Sequence, residues 1–158
     1  MTDDTAKSII DSITVKYPKL TRIPSGHFCT VVYECIHLSG SDVARLAAEA
    51  TGHLDGDAFD VAVGVAFSGV LFAAAVAGGR HVAILQPDGE IYGPSLKGKK
   101  VVVVDDVVCT GRRLSESADA VVKAGGKVVG YACIIDRSNG KVGTAQLPLW
   151  SAHQTLLV

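Results

Sequence analysis

The sequence predicts an α/β fold, a parallel β-sheet flanked by helices, with a small N-terminal hood. Three observations carry this. Residues 101–104 are four consecutive valines, the pattern of a strand buried on both faces, as strands of parallel sheets are. Strand-like apolar runs alternate with segments of helical periodicity, which implies right-handed βαβ crossovers. Glycine pairs, Gly78-Gly79 and Gly125-Gly126, close two of the helical segments, where a left-handed cap residue ends a helix at no side-chain cost.

Taken in order, Ile9, Ile10 and Ile13 mark a short amphipathic helix near the start. Residues 17–38 read as irregular or β and form the hood over the carboxyl edge of the sheet. Ser39 is placed to cap a second helix, with Asp42 three residues on and Val43, Leu46, Ala47 and Ala50 as its apolar face. A strand follows at 60–65, a helix at 68–77, and a strand from His81 to Gln86. Leu114, Ala118, Val121 and Val122 mark the next helix, Lys127 to Asp136 the next strand, and Thr155 to Val158 a last short one. The uncharged run from Val61 to Gly79 is long enough to tempt a membrane reading. Gly64, Ser68 and Gly69 interrupt it, and its composition shifts from β-branched to Ala and Leu. A strand, a loop and a buried helix explain that shift. No linker divides the chain, so residues 1–158 are expected to form one domain, with 17–38 as hood and 57–137 as core.

Hydrophobic residues make up 48% of the chain and the net charge is −1. That balance argues for a globular protein, against disorder, and against a broadly basic surface for nucleic acid. The four cysteines, Cys29, Cys35, Cys109 and Cys133, form no C-x-x-C pair and show no zinc-ligand spacing with histidine. Thiols in a reducing cytosol are the simplest account. The polar, acidic start MTDDTAKS is unlike a signal peptide, so a cytoplasmic protein without a membrane partner is expected.

The chemistry concentrates in VVVVDDVVCTGRRL, residues 101–114. Parallel sheets bind their ligands just beyond the carboxyl ends of the strands, and Asp105 and Asp106 fall there. The turn Cys109-Thr110-Gly111 then opens a helix, whose free N–H groups and dipole favour a phosphate. Carboxylates accept hydrogen bonds from a diol, so this pair beside an anion cradle suggests a ribose 5-phosphate. The plain alternative is a solvated acidic turn before a helix.

This order of features resembles the phosphoribosyl diphosphate (PRPP) motif of type I phosphoribosyltransferases. The resemblance implies that Asp105 and Asp106, the catalytic acids, hold the ribose hydroxyls. It places Val107, Val108, Cys109, Thr110, Gly111, Arg112 and Arg113 around the 5-phosphate. The likeness covers most of the chain and is nearest to the orotate branch. Ile23-Pro24-Ser25-Gly26-His27 resembles the L-x-S-G-R/K element of the family's hood, and Tyr33 stands where an aromatic residue lies against the base. Phe59 to Gly69 resembles the strand and loop used for pyrophosphate, which puts Ala66, Phe67, Ser68 and Gly69 in that role, with a strained or cis peptide near Phe67. Ile134-Ile135-Asp136-Arg137 resembles a V-x-D-R element whose arginine faces orotate. The implied activity is Mg²⁺-dependent phosphoribosyl transfer from PRPP to orotate, with the metal held mainly by substrate near Asp105 and Asp106, in a homodimer.

Three departures qualify the resemblance. The segment LQPDGEIYGPSLKGKK, where the family carries a mobile lysine-rich loop, is short and has lysines only at Lys97, Lys99 and Lys100. Pro24 replaces a lysine that reaches toward substrate. Arg113 ends the phosphate loop where a hydroxyl is usual, and Arg112 and Arg113 could add charge near a phosphate. Two other readings therefore stay open: a PRPP- or nucleotide-binding regulatory module with weak or no catalysis, and a salvage transferase for another base.

Overall fold

The computed structural model describes residues 3–22 and 28–155. Helix α1 (Asp3–Ser12) leads into an antiparallel ribbon of β1 (Thr14–Arg22) and β2 (Phe28–Tyr33), and a 3₁₀ turn follows at Cys35–His37. This ribbon takes up much of the stretch that the sequence left as irregular or β and named the hood; it begins three residues earlier than position 17. The element Ile23 to His27, with Pro24, lies outside the described residues. Helix α2 (Gly40–Thr51) starts where the sequence placed its cap. Ser39 Oγ accepts a hydrogen bond from Asp42 N at 3.1 Å and donates to the Asp42 carboxylate at 2.7 Å.

The main sheet is built from β3 (Val61–Val65), β4 (His81–Leu85), β5 (Ile91–Tyr92), β6 (Lys100–Val108), β7 (Lys127–Asp136) and β8 (Leu149–Gln154), in the order β5-β4-β3-β6-β7-β8. All neighbours pair parallel except β4 and β5. Helix α3 (Ser68–Ala77) joins β3 to β4, and α4 (Arg112–Lys123) joins β6 to β7. From β3 the chain steps to one side of the sheet, and from β6 it steps to the other. Right-handed crossovers in opposite directions put their helices on opposite faces, and the core divides accordingly. Leu46, Phe72, Val102, Val104 and Ile134 pack on the α1–α3 face; Val101, Val103, Leu114, Val121 and Cys133 pack on the α4 face. Alternate valines of β6 thus serve both layers, which is why the run needs no polar partner residue.

One element differs from expectation. The last strand is β8 at Leu149–Gln154, not Thr155 to Val158, and residues 156–158 lie outside the described residues. β8 is an edge strand of half-buried residues, so it lacks the apolar run that marks the inner strands. Tertiary packing places it: a Cβ on Gly130 would come within 2.4 Å of the Trp150 ring, so that glycine makes room for the ring. The run from Val61 to Gly79 is β3, a loop and α3. Among the described residues no helix is long and apolar enough to cross a membrane.

Candidate active site

Between β3 and β6 the strand order reverses, and the two strands end at different heights. Pairing of β3 with β6 stops at Gly64 and Val104, whereas β6 and β7 stay paired to Val108 and Asp136. Asp105 and Asp106 are the first residues beyond the last β3 pair, at the switch point where open α/β sheets bind ligands. The vacated space beside them is filled by the loop after β3. A Cβ on Gly69 would sit 2.6 Å from the Val104 carbonyl oxygen and 3.0 Å from Asp105 Cα, so only glycine lets this loop lie on the strand. The Ala66–Phe67 peptide is cis, where a strained or cis bond was expected. Ala66, Phe67, Ser68 and Gly69 therefore border the acid pair.

The two acids are held by their own backbone. Asp105 Oδ1 accepts from Asp106 N at 2.9 Å, and Asp106 Oδ1 accepts from Val107 N at 2.8 Å. Asp105 is buried, with its second oxygen 3.5 Å from Arg113 Nε. Burial, and then the charge of Asp106, push the Asp105 carboxyl up from 3.8 to about 7, against the pull of Arg113. Near neutrality this side chain is poised to hold or lose a proton, and a cation arriving beside it would drive the proton off. The thiols around the pair are held toward their protonated form. Burial, then the nearby acids, raises Cys35 to about 12, and burial likewise raises Cys109 and Cys133.

The turn after β6 closes over Gly111, which has φ +78° and caps α4. A Cβ there would strike Val142 Cγ2 at 2.5 Å, so the segment after β7 presses on the turn and excludes a side chain. Thr110 Oγ1 accepts from Arg112 N at 3.3 Å. The two adjacent arginines then part company. Arg112 Nε pairs with Glu116 Oε1 at 2.7 Å on the exposed side of α4. Arg113 turns inward between the Asp105 carboxylate and the Ala66 carbonyl, to which Nη2 donates at 3.4 Å.

Arg137 is only 5% exposed although it carries a full charge. Its backbone N donates to Val108 O at 2.7 Å, tying it to the end of β6. Its Nη1 donates to Val31 O in the hood at 3.1 Å, and its guanidinium carbon lies 5.5 Å from the centre of the Tyr33 ring. Its Nε has no hydrogen-bond partner, and neither does the buried hydroxyl of the next residue, Ser138. Among the described residues no carboxylate lies within ion-pair distance of Arg137. The sequence had not singled out Ser138; its position directly after the arginine was the one signal available.

Two adjacent carboxylates offer hard oxygen donors of the kind Mg²⁺ takes. They are far fewer than the octahedral set it demands, so the ion would draw its other ligands from water and substrate phosphates. Among the described residues no cluster of three or more potential ligand side chains forms a metal site by itself.

The segment between β4 and β6 folds away from this edge. Gln86 to Gly89 turn back, β5 pairs with β4, and Leu96 is buried in the core. Gly98 N donates to Gly125 O at 3.0 Å and Lys127 N to Lys99 O at 2.8 Å, while Lys100 Nζ contacts the Asp57 carbonyl. Lys97, Lys99 and Lys100 thus stand at the amino edge of the sheet, opposite the acid pair.

Residues 82–144, running from β4 through the acid pair to the segment after β7, match the phosphoribosyl transferase domain family. That match points to the class of phosphoribosyltransferases, and two sequence relatives establish it for the chain. Orotate phosphoribosyltransferase of Pelotomaculum thermopropionicum is 32% identical over 130 residues, spanning 77% of this chain and 68% of that protein. The Desulforamulus reducens enzyme of the same name is 30% identical over 147 residues, 85% of this chain and 77% of the other. Among solved structures, Mycobacterium tuberculosis orotate phosphoribosyltransferase in complex with PRPP superposes with a TM-score of 0.74 at 21% identity, covering 96% of this chain and 95% of that one. That of Aeropyrum pernix gives 0.74 at 23% identity, covering 94% and 93%. At such identity these two likenesses are of fold. The sequence relatives carry the narrower conclusion: the chain belongs to the orotate phosphoribosyltransferase family.

Proposed function

We propose that this chain transfers a 5-phosphoribosyl group from PRPP to orotate, with Mg²⁺, giving orotidine 5′-phosphate and pyrophosphate. The observation that carries the choice of substrate is Arg137, a buried guanidinium with an unpaired Nε and no carboxylate partner among the described residues. A buried cation without a counter-ion is costly, and an anionic base relieves that cost through charge-assisted hydrogen bonds. Tyr33, across the same guanidinium, offers a flat surface for the base.

In this reading Asp105 and Asp106 accept the ribose hydroxyls, and the turn from Val107 and Val108 through Cys109, Thr110 and Gly111 receives the 5-phosphate at the start of α4. Ala66, Phe67, Ser68 and Gly69 carry the diphosphate. As a ring nitrogen of orotate bonds to the ribose carbon and gives up its proton to solvent, the bond to the diphosphate oxygen breaks and its electron pair leaves with pyrophosphate. Positive charge on the ribose ring is stabilised by the acid pair beneath it. Bound Mg²⁺ supplies neutralisation of the departing pyrophosphate. The same reading takes the chain as one cytoplasmic domain acting as a homodimer.

The docked segment between β4 and β6 favours a second reading, a PRPP-binding regulatory module, because it leaves the carboxyl edge without lysines from that side. Calorimetric titration with PRPP and Mg²⁺, followed by orotate and pyrophosphate detection, separates the two. Binding with pyrophosphate release is expected. Binding without release on any base would establish the regulatory reading, and absence of PRPP binding would overturn both.

A further inference from the structure

Resting on the transferase reading, we propose that Arg113 serves the diphosphate end of the substrate and not the 5-phosphate, standing in for part of the cationic lid this chain lacks. Its neighbour shows what an uninvolved arginine does here. Arg112 reaches Glu116 at 2.7 Å and points to solvent. Arg113 begins in the same helical turn but leaves its own loop. It lies 3.5 Å from the carboxylate of Asp105, at the ribose end of the site, and 3.4 Å from the carbonyl of Ala66, where the diphosphate loop starts. The guanidinium therefore bridges the two elements between which the scissile bond must sit.

Both contacts are at the long limit for hydrogen bonding, and the side chain is half exposed. A guanidinium has five N–H donors, so two weak contacts leave most of its capacity available. A diphosphate resting on residues 66–69 would offer that fork the bidentate oxygens it matches best. When the carbon–oxygen bond breaks, the electron pair settles on the leaving oxygen, and a cation fixed at that point stabilises it. The lysines that could have done this stand at the opposite edge, Lys99 held by its backbone to Lys127 and Lys97 beside Gly98, which bonds Gly125.

The test uses Mg²⁺ with inorganic pyrophosphate and with ribose 5-phosphate as separate probes of the two ends. Binding of each is titrated against the wild type, Arg113→Gln and Arg113→Lys, with thermal melts to confirm folding. Arg113→Gln is expected to weaken pyrophosphate about 10- to 100-fold, to leave ribose 5-phosphate close to wild type, and to lower kcat. Arg113→Lys should fall between, so it reads the charge even if the glutamine variant folds poorly. Equal loss for both probes, or loss confined to ribose 5-phosphate, would overturn the assignment. A wild type that binds neither probe would instead sink the transferase reading. A wild type that binds both, with variants unchanged, sinks only the role of Arg113.

Discussion

The carboxyl end of β6 and the segment between β4 and β6 sit at the same sheet yet are built in opposite ways. The first projects past its β3 neighbour and keeps a buried carboxyl and an inward arginine, at a cost in desolvation. The second turns back on itself, adds the short β5 and buries Leu96. One holds charged groups at the sheet's carboxyl edge and the other adds apolar surface to the core. The difference teaches that substrate binding and lid closure are separate inventions on this fold. On the proposed reading this chain supplies the first at the carboxyl end of β6 and meets the second through Arg113, from within the site.

The sharpest way to break that comparison is Asp106→Asn, which removes a charge beneath the ribose. Pyrophosphate release from PRPP and orotate should fall about 10²- to 10³-fold; a variant that turns over normally would remove the acid pair from the mechanism. Next in size is a gain. Replacing residues 86–95 with a longer lysine-bearing loop should raise kcat on the order of 10²-fold with little change in PRPP affinity, measured by initial rates and titration. Arg137→Gln should raise KM for orotate about 10- to 100-fold while PRPP titrations stay near wild type. If PRPP affinity falls instead, Arg137 belongs to the phosphate side.

The carboxyl edge also leaves a mark on stability. Asp105 prefers the protonated form when folded, with its pKa raised from 3.8 to about 7. The native state then binds more protons than the unfolded chain, so the stabilisation is complete below the unfolded value and is lost as pH rises through the folded one. Melts of the ligand-free protein should show Tm falling by on the order of 5 °C from acid to neutral pH, and Asp105→Asn should flatten that slope. The smallest effect belongs to the amino edge. Lys97→Ala with Lys99→Ala should leave kcat/KM for PRPP near wild type, since neither residue is placed at the acid pair; a large loss would mean that the segment reaches the site during turnover.

Most of the site was legible because its signals are local. The valine run, the acid pair, the glycine turn and the Ser39 cap each state their conformation within a few residues. The cis bond at Ala66–Phe67 was foreseen only through family likeness, since Ala-Phe carries no signal of its own. The direction of Arg112 and Arg113 was not legible, because adjacent helical residues point about 100° apart and the sequence does not say which direction meets Asp105. The same holds for β8, whose half-buried edge sequence lacks a strong period.

The sequence by itself determined the alternation of strands and helices, the double burial of β6 and the place of the acid pair at a strand's carboxyl end. These follow from backbone propensity and side-chain periodicity, which act over a few residues. Tertiary structure alone decided that Arg137 meets Val31 and Tyr33 from across the chain, that Arg113 bridges β6 and the loop after β3, and that the lysines stand on the far edge. Those outcomes depend on where the strand order reverses and on which groups burial leaves without water, and both are properties of the packed sheet.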